Sequence, residues 1–580
     1  MNGSIMKKEI ITILTLSLLA ACGSGSSKKE NDIPKAPITP IEPTEPVAPT
    51  EPVEPTEPVA PTDKVENKQP TAKAVSIRFN NNQTLYTGDT LEGYYEYIDN
   101  ENDPEGNTQF RWLVDGEVKD TSETYTIKKE DADKKITLEV TPVATSGTTQ
   151  GDATLSNEIT AKLRQFIPFT ANITGGERVT LATDGTPDGT FTLKNFSDNR
   201  DAIVSTIKYN KKWLMSVNTK DHGYTLAATD GTEAGTDLVN TIYQNMHPAN
   251  FTKFQGRVFF TGTTPIEGRE LWVTEGTAET TRLVKDLEPG NIAQGQPFNG
   301  SPNHLSVVNN KLIFTAYSRI YGTELWVSDG THAGTYMFKD LNPGFYGSNI
   351  KDFYVFNDKV FFTESGQLYT TDGTTNGTSQ FSLSNGPSDV TGYIELENYL
   401  VIRGRSNGHH SSALWLSDGT TQGTTYINTL TDNNRINEMQ VLDDTLYYTA
   451  GGELFSYNVE DGAKKFTSEF THSSLTIVNN TLYFQGTSKE GSALFTLKDD
   501  HITTVYSPDN LNPELQFSFS DLTALNDSLL FIANDSIHGR EIWVSDGTQE
   551  GTKILVDLMP GEQSSYPALC HLQSPSNCER

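Results

Sequence analysis

Cysteine is scarce in this sequence, with three residues in 580. They are Cys22, Cys570 and Cys578, and none of them belongs to a CxxC pair, so a cysteine-based zinc site is not expected.

Positive charge is scarce as well. The 44 lysine and arginine residues are outnumbered by 75 aspartate and glutamate residues, which gives a net charge of −31. Because this charge repels phosphate backbones, the sequence predicts no nucleic-acid partner.

Long apolar runs and enzyme motifs are also missing. After residue 22 no stretch approaches the roughly 20 apolar residues that a membrane-spanning helix needs. There is no Walker loop, no Rossmann glycine run after a strand, no HExxH and no GxSxG. The sequence therefore names no catalytic and no cofactor-binding residue, and calcium is the one cofactor for which a candidate site exists.

Residues 1–22 predict export. Two lysines precede an apolar segment at 10–19 that is too short to span a bilayer, as in a signal peptide. The junction LAAC, which ends at Cys22, resembles the lipobox of bacterial lipoproteins. That resemblance implies lipidation of Cys22 and, with Gly23 following, an outer-membrane lipoprotein on the periplasmic or the external side. The alternative is ordinary cleavage beside a chance cysteine.

Residues 23–72 predict a linker rich in proline and glutamate. The 27 residues from Ala36 to Thr62 carry proline at every third position, which favours polyproline II and forbids a helix. At about 3.1 Å per residue this segment spans roughly 80 Å. It is either a stalk or a passive spacer.

Residues 73–163 predict a small β-sandwich. LEGYYEYID, TQFRWLVDG, ETYTI and KKITLEVTPV alternate apolar and polar residues, and turn residues separate them. The pattern resembles bacterial immunoglobulin-like modules, and Trp112 fits their core tryptophan. No cysteine pair bridges the sheets.

One loop of this module is a candidate calcium site. Asp99, Glu101, Asp103 and Glu105 place four carboxylates within seven residues, and calcium takes several oxygen ligands from loops of this kind. Their spacing does not match an EF-hand. The alternative is an ordinary solvated acidic turn.

Residues 164–580 contain an internal repeat that predicts a β-propeller. The motif is clearest as GTELWVSDGTHAGT at Gly322 and GREIWVSDGTQEGT at Gly539. Successive copies are 40 to 54 residues apart, with a mean near 45, which is the length of a four-stranded blade. The prediction is about nine blades, or eight if one weak copy is not separate. The anchor positions are Leu181, Leu226, Leu271, Leu325, Leu368, Leu414, Leu454, Leu494 and Ile542.

The repeat contains a strand with two apolar faces and then a turn. Leu325 and Val327 alternate with Trp326, so both faces of this strand are expected to be buried between neighbouring blades. In the turn that follows, an aspartate accepts backbone hydrogen bonds and a glycine takes a positive φ. We therefore interpret the turn aspartates as structural and not as catalytic. They are Asp184, Asp230, Asp329, Asp372, Asp418 and Asp546.

The two ends of the repeat region are expected to meet. The segment from Phe166 matches the second and third strands of a blade that lacks its first strand, and the C-terminal segment resembles the lead into a first strand. A C-terminal strand would then complete the N-terminal blade and leave no open edge. Cys570 and Cys578 lie beside this strand and are predicted to form a disulfide, with two free thiols as the alternative.

The repeat resembles the bacterial ELWxxDGT-repeat family over roughly residues 165–570. The resemblance implies a secreted, propeller-like repeat protein, and it implies little about activity. The copies at Glu453 and Ala493 depart from the motif.

These features predict a non-catalytic binding or scaffold protein that acts through propeller loops. The loop LEPGNIAQGQPFNGSPN, from Leu287, is the candidate binding loop. Expected partners are the membrane, through the lipid, and an envelope protein or a glycan. The alternative is an enzyme that cleaves polysaccharide or glycoconjugate with carboxylates at the propeller channel.

Overall fold

The computed structural model is all-β and belongs to one compact unit, Asn67–Arg580. Its described residues hold one 3-10 turn, Lys129–Asp131, and no α-helix. None of their helical segments meets the length and hydropathy needed to cross a membrane. The described residues are 67–79, 84–194, 203–239, 242–292, 295–383, 386–406, 412–427, 435–466, 471–488, 491–507, 518–535 and 537–569.

The first seven strands form two sheets, ordered β1-β2-β5 and β4-β3-β6-β7, which pack on a shared core. Trp112 is fully buried in that core, stacks on Tyr125 and donates from Nε1 to the Ser122 carbonyl at 2.9 Å. We call these strands the two-sheet module. They are β1 Thr71–Arg78, β2 Thr90–Ile98, β3 Gln109–Val114, β4 Glu117–Asp120, β5 Thr124–Thr126, β6 Ile136–Thr141 and β7 Thr154–Leu155.

The remaining strands form nine four-stranded antiparallel sheets within the described residues, numbered here as blades 1 to 9. Blade 1 has β8 Ile167–Asn172, β9 Arg178–Thr183 and β10 Phe191–Lys194, and blade 2 has β11 Ile203–Tyr209, β12 Lys212–Thr219, β13 Gly223–Thr229 and β14 Asp237–Leu238. Blade 3 has β15 Ala249–Phe254, β16 Arg257–Thr264, β17 Gly268–Thr274 and β18 Arg282–Lys285. Blade 4 has β19 Asn303–Val308, β20 Lys311–Ser318, β21 Gly322–Ser328 and β22 Tyr336–Lys339.

Blade 5 has β23 Ile350–Phe356, β24 Lys359–Glu364, β25 Gln367–Thr371 and β26 Ser379–Gln380. Blade 6 has β27 Pro387–Leu396, β28 Tyr399–Ser406, β29 Ser412–Ser417 and β30 Thr424–Ile427. Blade 7 has β31 Ile436–Leu442, β32 Thr445–Ala450, β33 Glu453–Asn458 and β34 Gly462–Phe466. Blade 8 has β35 Thr471–Val478, β36 Thr481–Ser488, β37 Gly491–Lys498 and β38 His501–Tyr506, and blade 9 has β39 Ser518–Leu525, β40 Ser528–Asp535, β41 Gly539–Ser545 and β42 Lys553–Val556.

The blades form a closed ring. A short last strand, β43 Ala568–Leu569, pairs antiparallel with β8 and completes blade 1. One apolar core joins blades 9, 1 and 2, and further cores lie between each later pair of neighbours. The chain is therefore a β-propeller, and the two copies that depart from the motif, in β33 and β37, each occupy a sheet of their own.

The motif strand is buried on both faces, as its sequence predicts. Trp326 is 8% exposed and packs in the core between blades 3 and 4. Its neighbours Leu325 and Val327 pack in the core between blades 4 and 5. This two-sided burial ties each blade to both neighbours through one short strand.

The DGT turn that follows is closed by side-chain hydrogen bonds. Asp329 Oδ1 accepts from the Thr331 amide at 2.9 Å and from the Thr331 hydroxyl at 2.7 Å, and these bonds lower the pKa of the Asp329 carboxyl. Gly330 has φ +88°, which favours glycine. The other five predicted turn aspartates make the same pair of bonds, so their carboxylates are engaged in the turns.

Blade 3 closes the same turn in a different way. It carries Glu275 where the other turns carry aspartate, and Thr280 where they carry glycine. The Thr280 hydroxyl lies 3.1 Å from the Glu275 amide and 3.3 Å from the Thr277 amide, so it accepts the kind of bond that the aspartate accepts elsewhere. The two departures from the motif compensate for each other.

The two-sheet module is joined to the propeller by a hydrogen-bonded link. Arg164 donates to the Thr87 carbonyl, pairs with Asp89 and lies 3.7 Å from Asp184 of blade 1. The Asn526 side chain of blade 9 bonds the Gln165 amide at 2.9 Å and carbonyl at 3.1 Å. These contacts hold the end of the module against blades 1 and 9.

Candidate functional site

The propeller has two ends with different architecture. Because each blade is an antiparallel meander, the turn between its first and second strands and the DGT turn lie at one end. The turn between its second and third strands and the connection to the next blade lie at the other, which we call the connection end. The candidate binding loop, 287–303, is one of these connections.

Buried glutamates anchor the loops of the connection end. Glu270 is fully buried and accepts from the Leu287 amide at 2.8 Å and the Gly300 amide at 2.6 Å, so it holds both ends of the candidate binding loop. Glu324 and Glu541 hold the equivalent loops of blades 4 and 9. Burial raises the pKa of Glu270 to about 8 and that of Glu541 to about 7.

The sequence interpretation missed these glutamates. The sequence feature that could have identified them is the glutamate that precedes LW or IW in the motif. A carboxylate that recurs on a strand buried on both faces has no water to solvate it. It therefore needs protein donors, and the loop amides are those donors.

A cleft of about 740 Å³ opens at the connection end of blade 3. Its walls come from the connection before the blade, the turn between β16 and β17, the candidate binding loop and the end of β20. The lining residues are Gln244, Asn245, Thr263, Thr264, Pro265, Gly268, Ile292, Gln296, Pro297, Phe298, Asn299, Ser301 and Tyr317.

The walls of the cleft are held in place by the protein itself. The guanidinium of Arg319 lies 3.8 Å from the centre of the Phe298 ring and donates to Glu288 at 2.6 Å. Asn299 Oδ1 accepts from the Arg269 amide at 2.8 Å. Gly268 has φ +81°, and a Cβ there would lie 2.1 Å from the Phe298 carbonyl oxygen, so only glycine fits. The cleft is preorganised.

The lining carries no formal charge. None of its thirteen residues is Asp, Glu, Lys, Arg, His or Cys, although 21% of the chain is charged. Gln244 and Gln296 are exposed. Within the described part of the chain, their side-chain amides and the Tyr317 hydroxyl form no hydrogen bond with a protein group. Such a surface can donate to and accept from neutral hydroxyls. It offers no carboxylate pair and no nucleophile beside a base.

Apolar side chains stand exposed around the same end. Ile266, Ile320 and Ile537 occupy the same position, two residues before the glycine that opens the third strand, and are 74%, 69% and 66% exposed. Phe345 and Tyr346, in the connection after blade 4, are also exposed, and their ring centroids are 4.1 Å apart. All five side chains lie at the connection end, and Phe345 and Tyr346 are the pair in contact.

Comparisons with known proteins identify no family. No family model and no curated protein matches the chain. Among solved structures it is similar to puromycin hydrolase, with 11% identity, a TM-score of 0.33, and 58% of this chain and 59% of that chain covered. A structure from a study of two prolyl endopeptidases has 13% identity and a TM-score of 0.33, with 57% of this chain and 50% of that chain covered. The chain therefore spans between half and three fifths of the length of these proteins.

A third similar structure is the β-propeller domain of the Trilobed protease from Pyrococcus furiosus. It has 12% identity and a TM-score of 0.27, with 54% of this chain and 98% of that chain covered. Superpositions this loose carry no information about activity, so function has to be argued from the cleft and its surroundings.

The candidate calcium loop is closed by protein hydrogen bonds. Asp99 Oδ1 accepts from the amides of Glu101 and Asp103, while Asp103 accepts from Asn67 and Ser146. Glu105 accepts from Tyr95 and Thr108. Glu101 accepts from the Lys68 amide at 3.3 Å, so each of the four carboxylates has its own donors, and no group of three or more metal-ligating side chains occurs among the described residues. Calcium binding at this loop stays a prediction.

Three predicted sites lie outside the described residues. They are the lipidation site Cys22 and the disulfide partners Cys570 and Cys578. Lipidation of Cys22 and the disulfide between Cys570 and Cys578 stay predictions.

Proposed function

We propose that this chain is a non-catalytic binding protein of the bacterial envelope that takes a neutral glycan into the cleft at blade 3. The observation that carries the proposal is the uncharged, preorganised lining of that cleft in a chain of net charge −31. Sugar hydroxyls both donate and accept hydrogen bonds, and the free amides of Gln244 and Gln296 do the same.

The charge of the chain favours a neutral ligand over an anionic one. A nucleic acid or an acidic polysaccharide would be repelled by the surrounding field, and the lining offers no cation to offset that repulsion. Tyr317 and Ile292 supply apolar area for the faces of sugar rings, and clefts of this size bind small molecules in many proteins.

The enzyme alternative needs two carboxylates on opposite sides of a scissile bond. The cleft lining has none, which favours binding without turnover at this cleft. An enzyme with carboxylates at the propeller channel is the second candidate function. We therefore place the function in recognition.

The rest of the chain would position this receptor. We propose that lipid on Cys22 anchors it in the outer membrane and that the linker 23–72 carries it away from the bilayer. The two-sheet module, which resembles an immunoglobulin-like domain, would serve as a spacer held firmly to the propeller.

A glycan array followed by isothermal titration calorimetry tests the proposal. The full chain is expected to bind a neutral glycan, and Gln296→Ala and Tyr317→Ala are each expected to weaken binding about tenfold through the loss of a hydrogen bond to the ligand. Tyr336→Ala, an exposed tyrosine on β22 outside the cleft, is the matched control and should bind normally. Hydrolysis of the bound glycan, or binding unaffected by both cleft variants, would overturn the proposal.

A further inference from the structure

A second cavity lies where the two-sheet module meets the propeller, and it shares no lining residue with the cleft. It has a volume of about 300 Å³. It is lined by Thr87, Gly88, Ile127, Lys129, Leu163, Arg164, Gln165, Phe166, Lys208, Lys211 and Trp213. Residues of both modules and of the link between them thus build one enclosure, which we call the junction cavity.

The junction cavity is basic in an acidic protein. Four of its eleven lining residues are lysine or arginine and none is acidic, although acids outnumber these cations in the chain by 75 to 44. Arg164 is neutralised by Asp89 and Asp184. Lys129, Lys208 and Lys211 form no salt bridge with any described residue. Asp230 lies close enough to Lys129 to interact with it electrostatically, so Lys208 and Lys211 are the two positive charges that border the cavity without a counter-charge in contact.

Lys208 is the most constrained of the three. It lies on β11, the innermost strand of blade 2, and is half-buried. Burial, and the like charge of Lys253 on the next blade, lower its pKa. A lysine placed beside another cation in a partly dry site is stabilised by an anion and not by water alone.

The other walls of the junction cavity are apolar. The rings of Phe166 and Trp213 contact each other edge to face, with centroids 6.4 Å apart. Trp213 Nε1 donates a hydrogen bond to the Phe166 carbonyl at 3.1 Å. Ile127 is 1% exposed, and Leu163 is partly buried. A ligand here would place an apolar body against Leu163 and Phe166, the partly exposed side chains of this wall, and a negative group toward the lysines.

We propose that the junction cavity is a binding site for a small organic anion, a carboxylate or phosphate carried on an apolar or aromatic body. The site is separate from the glycan cleft and does not depend on the proposed function. Its ligand would touch both the two-sheet module and blades 1 and 2, so binding would also hold the two modules together.

Isothermal titration calorimetry on the full chain with phenyl phosphate tests this inference. We expect one site per chain, with an affinity that falls as salt rises, because charge contributes to binding. Inorganic phosphate should bind more weakly because it lacks the apolar body, and benzyl alcohol should bind more weakly because it lacks the charge.

Lysine variants locate the site. Lys208→Gln and Lys211→Gln are each expected to weaken phenyl phosphate binding at least about tenfold, since a charge-assisted hydrogen bond is lost. Lys498→Gln, at an exposed lysine on β37, is the matched control and should bind as the unmodified chain does.

Lys211 is exposed, so its variant keeps the test decisive if Lys208→Gln does not fold. Absence of phenyl phosphate binding to the unmodified chain would overturn the inference. So would binding that Lys211→Gln leaves unchanged, or equal affinity for benzyl alcohol.

Discussion

The carboxylate of Asp329 occupies the space that a side chain on Gly334 would need: a Cβ at residue 334 would lie 2.0 Å from Asp329 Oδ1. The same relationship holds between Asp184 and Gly189, and between Asp546 and Gly551. It explains the second glycine of the motif DGTxxGT. That glycine has no side chain because the aspartate that closes the turn lies over it.

Gly334→Ala is therefore expected to destabilise the protein by about 1–3 kcal/mol, the usual cost of forcing atoms into a filled space. Urea denaturation measures this. His332→Ala, at an exposed position of the same turn, should change stability by no more than about 0.5 kcal/mol. Equal stability of the alanine variant and the unmodified chain would mean that the turn rearranges freely.

Blade 3 supplies a rescue experiment for the same turn. Because Glu275 and Thr280 replace the aspartate and the glycine together, Asp329→Glu combined with Gly334→Thr should be more stable than Gly334→Thr alone. A double-mutant cycle is expected to give a favourable coupling of about 0.5–3 kcal/mol. Additive effects would contradict the compensation seen in blade 3.

Trp326→Ala should be strongly destabilising, because the Trp326 ring fills the core between blades 3 and 4. The expected loss is about 3–5 kcal/mol in the free energy of unfolding, from the lost burial and the cavity that remains. Thermal or urea unfolding measures it. Tyr336→Ala removes an aromatic ring that is 54% exposed and serves as the control. A small effect of the tryptophan change would mean that the ring does not seal the two blades.

Sequence periodicity was sufficient for the strands and turns but not for the cleft. The two-faced burial of Leu325 and Trp326 and the closing strand at Leu569 follow from local pattern and repeat length. The cleft depends on which side chains meet across loops far apart in sequence, such as Gln244 and Gln296. The loop 287–303 could be singled out as an insertion, but the neutrality of the whole lining needed the fold.

Glu270 makes stability depend on pH. Burial raises its pKa from the ordinary 4.5 to about 8 in the folded chain, so between these pH values the folded state holds a proton that the unfolded state has released. Its contribution to stability is therefore full below about pH 4.5 and is lost as the pH rises through about 8.

Urea denaturation at several pH values between 5 and 8, on the order of one pH unit apart, measures this dependence. Glu270→Gln should be less steeply destabilised by rising pH than the unmodified chain, because the titrating group is gone. Glu279→Gln, at an exposed glutamate of the blade 3 turn, should keep the original slope. An identical slope in Glu270→Gln would show that the carboxylate is already ionised in the folded state.

The proposed function is the recognition of a neutral ligand by an uncharged cleft in a highly acidic protein. The salt dependence of glycan affinity tests it most directly, since ionic strength screens charged contacts and leaves neutral hydrogen bonds largely unaffected. We expect the same dissociation constant, by calorimetry on the full chain, from about 20 mM to about 500 mM sodium chloride. A dissociation constant that changes about tenfold or more over this range would contradict it.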